Sequence, residues 1–368
     1  MSLTGTSFFV TSIVLVVIAL ALPLALWSRV RGPAFVRSAG RLLMLLFAQI
    51  TALVVVFVAV NNTNHLYGSW DDLLGTADHV TAAVDLGPDG TGGRQVALEP
   101  KVKAHFTLVE DPRMGEGVLK TELTGRISGV RGEVYVWLPP QYDDPAYKDK
   151  RFPVVEMLPG YPGSAKTWFG TLKVQAQLRP MMEQGTIAPF ILVSPRTHLL
   201  GDRDTGCANI PGKVNAETWI SVDVRKMVTD NFRASQRADG WGVAGFSAGA
   251  HCAVKLAIAH PDRYRAGAGL SGYNDPAAER TSLTGRDPAL RRANNPLLML
   301  RAAKSPPRTA LFVSGEGSDG YEPGLELRDA AKPPTTVYVK ETRGGHSNKV
   351  WRKALPDVFF WLTGQLRP

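Results

Sequence analysis

Two uncharged apolar runs near the N-terminus constrain this chain more than any other feature of its 368 residues. The first, Phe8 to Trp27, reads FFVTSIVLVVIALALPLALW, and the second, Leu42 to Val60, reads LLMLLFAQITALVVVFVAV. Each is close to the roughly 20 apolar residues that cross a hydrocarbon core as a helix. No basic segment precedes Phe8 and a second run follows, which disfavours a cleaved signal peptide; a pair of buried core helices also fits poorly. We therefore predict a two-span transmembrane anchor over 1–62, with spans at about 8–27 and 42–60.

The segment that links the two runs predicts how the chain is oriented in a membrane. It contains no acidic residue and four basic ones, Arg29, Arg31, Arg37 and Arg41. Short loops that are rich in Lys and Arg stay on the cytoplasmic side. We therefore predict a multi-pass protein of the cell membrane whose chain after about Asn61 is extracytoplasmic.

The formal net charge of +9 gives little information about partners once this link is set aside. The remaining mild basic excess suits an ordinary solvated surface, which we favour, or an anionic membrane surface. No basic stripe with interleaved aromatic residues occurs, so no nucleic-acid partner is predicted.

The only two cysteines, Cys207 and Cys252, lie in the predicted outer part of the chain. In an oxidising compartment a lone pair of cysteines is reasonably interpreted as a disulfide, and two separate buried thiols are the alternative. C-x-x-C spacing is absent, which argues against a redox motif and a metal site. We predict neither a metal nor a cofactor.

The remainder of the sequence indicates an extracytoplasmic linker or lead-in over 63–116, followed by a compact domain over 117–368. The linker is rich in Gly, Asp and Thr, as in LGPDGTGG from Leu86 to Gly93. Beyond it, short apolar runs alternate with segments of helical spacing, as in FPVVEMLPGYPG, FILVSPR and GWGVAGF. This alternation predicts an α/β fold, with a mostly parallel sheet that helices cover on both faces.

The motif G-F-S-A-G from Gly245 to Gly249 suggests a nucleophile at Ser247. The pattern alone is a weak signal in a chain with 36 glycines. Here, however, the predicted strand GWGVAGF precedes it and the helix-like AGAHCAVKLAIAH follows. A nucleophile elbow needs this strand, a sharp turn at the serine and a helix directly behind it. A small residue in an ordinary tight turn is the alternative.

A serine hydroxyl needs a base, and in this chain order the acid and then the histidine follow the nucleophile. His346 is the only histidine after His260, and it lies between the last predicted strand and the closing helix. A solvent-exposed loop histidine is the alternative. For the acid we choose Asp319, in the glycine-rich loop GEGSDGYEPGLE after the penultimate strand. Alternative acids are Glu316 and Glu326.

An acyl-transfer site also needs backbone N–H donors for the oxyanion of the tetrahedral intermediate. The N–H of Ala248, which follows the serine, is one candidate donor. The loop LPGYPG after an early strand offers the other, and we choose Tyr161. An ordinary Pro/Gly turn is the alternative for this loop.

These motifs together resemble the esterase family of the α/β-hydrolase fold, which includes esterase D (S-formylglutathione hydrolase) and the antigen 85 mycolyltransferases. The resemblance rests on GFSAGAHCAVKLAIAHPD, YRAGAGLSGY, FPVVEMLPGYPG and GGHSNKVW, covers about 117–368, and extends to membrane-anchored actinobacterial members. It implies a Ser–acid–His hydrolase or acyltransferase, with Ser247 as nucleophile, His346 as base, and Ala248 and Tyr161 at the oxyanion positions.

Two features of the sequence argue against two activities found in this family, mycolyl transfer and cytosolic formaldehyde detoxification. The acid of mycolyltransferases is a glutamate well beyond the strand, and the segment between Ser314 and His346 is shorter here. Cytosolic formaldehyde detoxification does not agree with two membrane spans.

We therefore expect a membrane-anchored serine esterase that acts through an acyl-enzyme on an ester, such as a lipid or cell-envelope component. An acyltransferase that moves the acyl group to a sugar or lipid hydroxyl is the first alternative. A non-catalytic envelope-binding protein on the same fold is the second.

Overall fold

The computed structural model describes residues 1–367 and divides into two compact units, Met1–Leu74 and the chain from Gly75 onward. The first unit contains helices α1 (Thr6–Leu26), α2 (Ala34–Asn64) and α3 (Trp70–Leu74). Both α1 and α2 are long and apolar enough to cross a membrane, and only 11% of each is buried. The apolar side chains of this helical pair are therefore largely exposed, as lipid-facing surfaces require.

The link between α1 and α2 is shorter than the sequence suggested. The second helix begins at Ala34, so Arg37 and Arg41 belong to its first turns. The Arg41 guanidinium donates to the Trp27 carbonyl at 3.2 Å and lies over the Trp27 ring. This contact joins the end of α1 to the start of α2.

Eleven strands are present in the second unit as described, and nine of them form one sheet. The strands are β1 (Thr107–Leu108), β2 (Val118–Thr124), β3 (Arg131–Trp137), β4 (Val154–Leu158), β5 (Ile191–Pro195), β6 (Asn209–Ile210), β7 (Val214–Asn215), β8 (Trp241–Phe246), β9 (Ala266–Leu270), β10 (Ala310–Gly315) and β11 (Thr336–Glu341). The order in the sheet is β1-β2-β3-β5-β4-β8-β9-β10-β11. From β5 to β11 all pairs are parallel, whereas β1, β2, β3 and β5 pair antiparallel. The predicted mostly parallel sheet is thus confirmed.

Helices cover both faces of this sheet. They are α4 (Lys166–Gly170), α5 (Val174–Glu183), α6 (Ala216–Thr218), α7 (Arg225–Asn231), α8 (Ala248–Ala259), α9 (Leu283–Arg286), α10 (Pro288–Ala293), α11 (Pro296–Ala302), α12 (Tyr321–Ala330) and α13 (Asn348–Gln365). A π-helical segment, Trp219–Val224, connects α6 to α7.

Alternation along the buried strands divides the core into two layers. In β4, Val154 and Leu158 face one apolar cluster, whereas Val155 and Met157 face the other. Helix α8, which follows Ser247, belongs to the first layer and α13 to the second. The edge of the sheet at which the parallel strands end is where ligands bind in open α/β folds.

The larger part of the predicted linker or lead-in over 63–116 belongs to the second unit. The N–H of Arg131 donates to the His79 carbonyl at 2.8 Å, and the Asp230 carboxylate accepts from the N–H of Val102 at 2.8 Å. Strand β1 adds to the sheet edge beside β2. Backbone groups make these contacts, so they leave no periodic apolar pattern in the sequence.

Candidate active site

Ser247 connects β8 to α8 in a sharp turn. Its backbone has φ 56° and ψ −126°, a region that non-glycine residues rarely adopt, and strained residues of this kind cluster at functional sites. Its N–H donates to the Leu270 carbonyl of the neighbouring strand β9 at 2.9 Å. The turn therefore holds the serine side chain at the edge where the parallel strands end.

The glycines of the motif are required by the close approach of backbone around this turn. A Cβ on Gly245 would lie 1.9 Å from the carbonyl oxygen of Gly249. A Cβ on Gly249 would lie 2.2 Å from the carbonyl oxygen of Leu158, at the end of β4. Any larger residue at either position would push α8 away from the sheet.

His346 lies between Ser247 and Asp319. Its Nε2 is 2.9 Å from Ser247 Oγ, and its Nδ1 is 2.9 Å from Asp319 Oδ1. When Nδ1–H donates to Asp319, Nε2 is left to accept the serine proton, which is the tautomer a general base requires. The His346 and Asp319 side chains are 48% and 33% exposed, so solvent reaches the site.

Glu316, one of the two alternative acids, binds the backbone of the loop that carries His346. Its Oε2 accepts the N–H groups of Gly344 and Gly345 at 3.0 and 2.9 Å. These backbone hydrogen bonds, the bond from Gly345 first, lower the pKa of Glu316 below its ordinary value. The other alternative, Glu326, accepts a hydrogen bond from the Asn274 side chain at 2.9 Å.

Trp351 contacts the histidine from the first turn of α13. The two rings meet edge to face at 4.8 Å, and Trp351 also stacks on Phe246 at 4.6 Å. The indole N–H donates to Ser271 Oγ at 3.0 Å. No local pattern distinguishes this tryptophan from the other buried ones. Its position three residues after Asn348, the first residue of α13, was the available signal.

The two candidate oxyanion donors lie on either side of the serine. Ala248 is the first residue of α8, where helix N–H groups have no intrahelical acceptor. Tyr161 follows Gly160, and a Cβ on Gly160 would lie 2.9 Å from Ser247 Cβ, so this loop runs directly beside Ser247. The Tyr161 ring meets the His198 ring edge to face at 5.0 Å.

The loop after β5 is attached to α8 by a disulfide and by hydrogen bonds. Cys207 and Cys252 form a disulfide with Cα atoms 5.7 Å apart. One turn further along α8, the buried Lys255 ammonium donates to the Cys207 carbonyl at 2.6 Å and to Glu217 at 2.8 Å. Burial opposes ionisation of Glu217, but Lys255 and His260 outweigh it and hold the pKa of this carboxyl well below its ordinary value.

The second histidine near the elbow, His251, has a different environment. It lies one turn into α8, fully buried, and its Nδ1 is 3.0 Å from the Tyr273 carbonyl. Burial, aided by the charge of Lys255, lowers the pKa of His251 to about 4. Within residues 1–367, no group of three or more His, Cys, Asp or Glu side chains is placed to hold a metal ion.

The strand order and the turn at Ser247 define an α/β-hydrolase fold. The family model described as "Putative esterase" matches residues 127–362, and the chain belongs to this esterase family. A curated relative, an uncharacterized protein of Corynebacterium glutamicum, is 27% identical over an alignment of 248 residues that covers 62% of this chain. The match spans only 56% of that relative's length.

Solved structures agree with this fold. A ferulic acid esterase is 20% identical with a TM-score of 0.58, over 68% of this chain and 98% of that one. A fluorophosphonate-binding serine hydrolase of Staphylococcus aureus is 17% identical with a TM-score of 0.55, over 67% and 98%. An S-formylglutathione hydrolase of Agrobacterium tumefaciens is 15% identical with a TM-score of 0.54, over 73% and 100%.

Proposed function

We propose that this chain is a membrane-anchored serine esterase that cleaves carboxylic esters through Ser247, His346 and Asp319. The observation that carries the proposal is the unbroken contact from Asp319 through His346 to Ser247 Oγ, with both distances at 2.9 Å. Ser247 also has a backbone conformation, with φ 56°, that is rare for non-glycine residues and is often found at functional sites.

The reaction follows from this geometry. Ser247 Oγ attacks the ester carbonyl carbon while its proton passes to His346 Nε2, and the Asp319 carboxylate stabilises the imidazolium that forms. The N–H groups of Ala248 and Tyr161 bind the oxyanion. Collapse of the intermediate expels the alcohol, which takes the proton from His346, and leaves an acyl group on Ser247. Water, deprotonated by His346, then releases the acid and restores the serine.

Hydrolysis rather than acyl transfer is favoured by the openness of the site. The imidazole is 48% exposed, so water has direct access to the acyl-enzyme. A transferase must keep water away from this intermediate while its acceptor binds. The esterase and hydrolase names of the fold relatives agree with the same reaction class.

We further propose that α1 and α2 anchor the enzyme with the active site outside the cytoplasm. The cationic link between the helices and the disulfide between Cys207 and Cys252 both favour this orientation. A membrane-proximal ester, such as a lipid or envelope component, is the substrate class that suits this location.

A membrane-impermeant fluorophosphonate tests both parts of the proposal on the full chain. We expect it to label Ser247 in intact cells, with the labelled peptide identified by mass spectrometry, and Ser247→Ala to abolish the labelling. Ser271→Ala is a matched control. Ser271 also follows a strand and has a φ of 54°, but its Oγ accepts a hydrogen bond from the Trp351 indole. This variant should keep the label.

The other outcomes separate the two parts. Absence of label on folded protein in both intact and lysed cells would overturn the esterase proposal. Label only after lysis would retain the nucleophile and overturn the proposed orientation.

A further inference from the structure

A groove of about 900 Å³ lies between the loop after β5 and the segment after β9. Residues 200–213 line one side, and residues 283–290 line the other. The two sides are joined, because the N–H of Leu283 donates to the Asp204 carbonyl at 2.9 Å. Both segments follow the carboxyl ends of parallel strands, so the groove opens at the edge of the sheet that holds Ser247.

One wall of the groove continues, two residues earlier in the chain, into a residue that contacts the candidate oxyanion loop. His198, whose ring meets the Tyr161 ring at 5.0 Å, precedes the groove residue Leu200 by two positions. The same stretch of chain therefore contributes to the groove, through Leu200, and to the surroundings of Tyr161, through His198.

The floor of the groove is apolar. Leu200, Leu283 and Leu290 line it, are half-buried, and pack on the larger core cluster beneath. Their exposed faces can lose further contact with water when an alkyl or acyl segment covers them, at about 25 cal/mol per Å² of apolar area.

The rim of the groove is cationic. The Lys213 ammonium and the Arg286 guanidinium have no acidic partner within residues 1–367, whereas Arg203 lies 3.2 Å from the exposed Asp202. The one acid that lines the groove, Asp287, accepts the N–H groups of Ala289 and Leu290 at the start of α10. Two cations without an ion-pair partner thus line the groove together with the Asp287 carboxylate, and the Arg286 guanidinium also donates to the Arg280 carbonyl at 3.0 Å.

We propose that this groove binds the distal part of the substrate, and that this part is an apolar segment carrying an anionic group, a carboxylate or a phosphate. An ammonium and a guanidinium form charge-assisted hydrogen bonds with such groups, and the leucine floor takes the chain between the anion and the ester. The proposal rests on the proposed esterase function. It defines the substrate class as an anionic amphiphilic ester.

The test uses the full chain in dodecyl maltoside and three six-carbon probes: hexyl phosphate, hexanoate and neutral hexyl glucoside. Saturation-transfer NMR measures binding independently of activity. Inhibition of p-nitrophenyl butyrate turnover then shows whether the groove serves the active site. We expect at least one anion to bind more tightly than the glucoside, to raise KM competitively, and to weaken as salt rises. The tighter of the two anions identifies the head group.

Lys213→Gln/Arg286→Gln should weaken binding of that anion about tenfold or more, since two charge-assisted contacts are lost. The matched control is Lys349→Gln/Lys353→Gln in a second basic cavity between β11 and α13, and it should bind the anion as the parent does. Equal binding of anionic and neutral probes, or no loss in the groove variant, would overturn the proposal, as would binding without inhibition.

A folded protein that turns over no ester would instead contradict the proposed function. The NMR measurement would still show whether the groove binds the anion, because it does not depend on ester turnover.

Discussion

At the scale of single residues, two carboxylates three positions apart act on the same histidine loop in different ways. Asp319 contacts the imidazole, whereas Glu316 binds the backbone of the glycines before it. The two residues also exchange backbone hydrogen bonds of 2.9 and 3.1 Å in one tight turn. Asp319, which contacts His346, and Glu316, which binds the backbone before His346, therefore lie in one short segment after β10.

Glu316 is a positioning residue in this arrangement, and its removal should affect turnover more than binding. We expect Glu316→Ala to lower kcat by about 10- to 100-fold with little change in KM, because a displaced base loses alignment with Ser247. Glu316→Gln keeps a carbonyl acceptor for the two N–H groups and should recover most of the rate. Steady-state kinetics on a p-nitrophenyl ester gives both constants.

The matched control is Glu322→Ala, an exposed acid in the first turn of α12. It should leave both constants unchanged. A Glu316→Ala enzyme with the parent kcat, or one with a raised KM alone, would contradict the positioning role.

At the scale of elements, the loop after β5 is fastened to α8 twice, by a covalent bond and by a buried ammonium. The disulfide and Lys255 both hold the chain at Cys207, and Lys255 also binds Asn294 after α10 at 3.0 Å. These contacts attach one wall of the groove, and the residue that follows α10, to the helix that begins directly after Ser247. The position of the groove relative to Ser247 thus depends on contacts of α8 with the loop after β5 and with the segment after α10.

Removal of the disulfide should destabilise the protein without abolishing activity. Cys207→Ala/Cys252→Ala is expected to lower the free energy of unfolding by about 2–4 kcal/mol, since the bond closes a loop of 45 residues. Lys255 still holds the Cys207 carbonyl, so ester turnover at low temperature should change little. Urea unfolding followed by tryptophan fluorescence measures the first effect.

Reduction of the parent with dithiothreitol provides the comparison and should lower stability by a similar amount. Equal stability of parent, reduced parent and variant would show that the bond does not constrain the chain.

At the scale of the whole molecule, the central sheet contains an acid with no exposed surface. Glu156 in β4 is fully buried, and its Oε2 accepts from the Tyr264 hydroxyl at 2.7 Å. Burial raises the pKa of Glu156 from 4.5 to about 8, against the hydrogen bond from Tyr264 and the charge of Arg225. The folded protein thus holds a proton here that the unfolded chain releases.

This proton makes stability depend on pH. Because the folded pKa is the higher one, the stabilisation is complete below pH 4.5 and is lost as the pH rises through about 8. The limiting slope is about 1.4 kcal/mol per pH unit. Glu156→Gln cannot titrate, so its free energy of unfolding should fall less steeply than that of the parent across this window.

Urea unfolding at several pH values measures the two slopes, and Glu322→Gln, which changes an exposed acid, should keep the parent slope. Parallel curves for the parent and Glu156→Gln would mean that Glu156 ionises alike in the folded and unfolded states.

Much of the fold could be predicted because its signals are local. The strands β4, β5, β8, β9, β10 and β11 follow from short apolar runs bounded by Gly or Pro, and α8 follows from the motif at Ser247. The order of β3, β5 and β4, the strand β2 and the short helices between β9 and β10 were not predicted. Strand pairing between distant segments leaves no periodic pattern in one sequence, and helices this short do not leave one either.

By itself, the sequence determined the two apolar helices, the α/β class and the position of Ser247 in its turn, since length, alternation and small residues fix these locally. Only the tertiary structure decided which acid contacts His346, because Glu316 and Asp319 differ by the path of one loop. It also decided that residues 75–116 pack on the second unit and that two distant loops form a cationic groove. These outcomes depend on backbone hydrogen bonds and charges that meet only after the chain has folded.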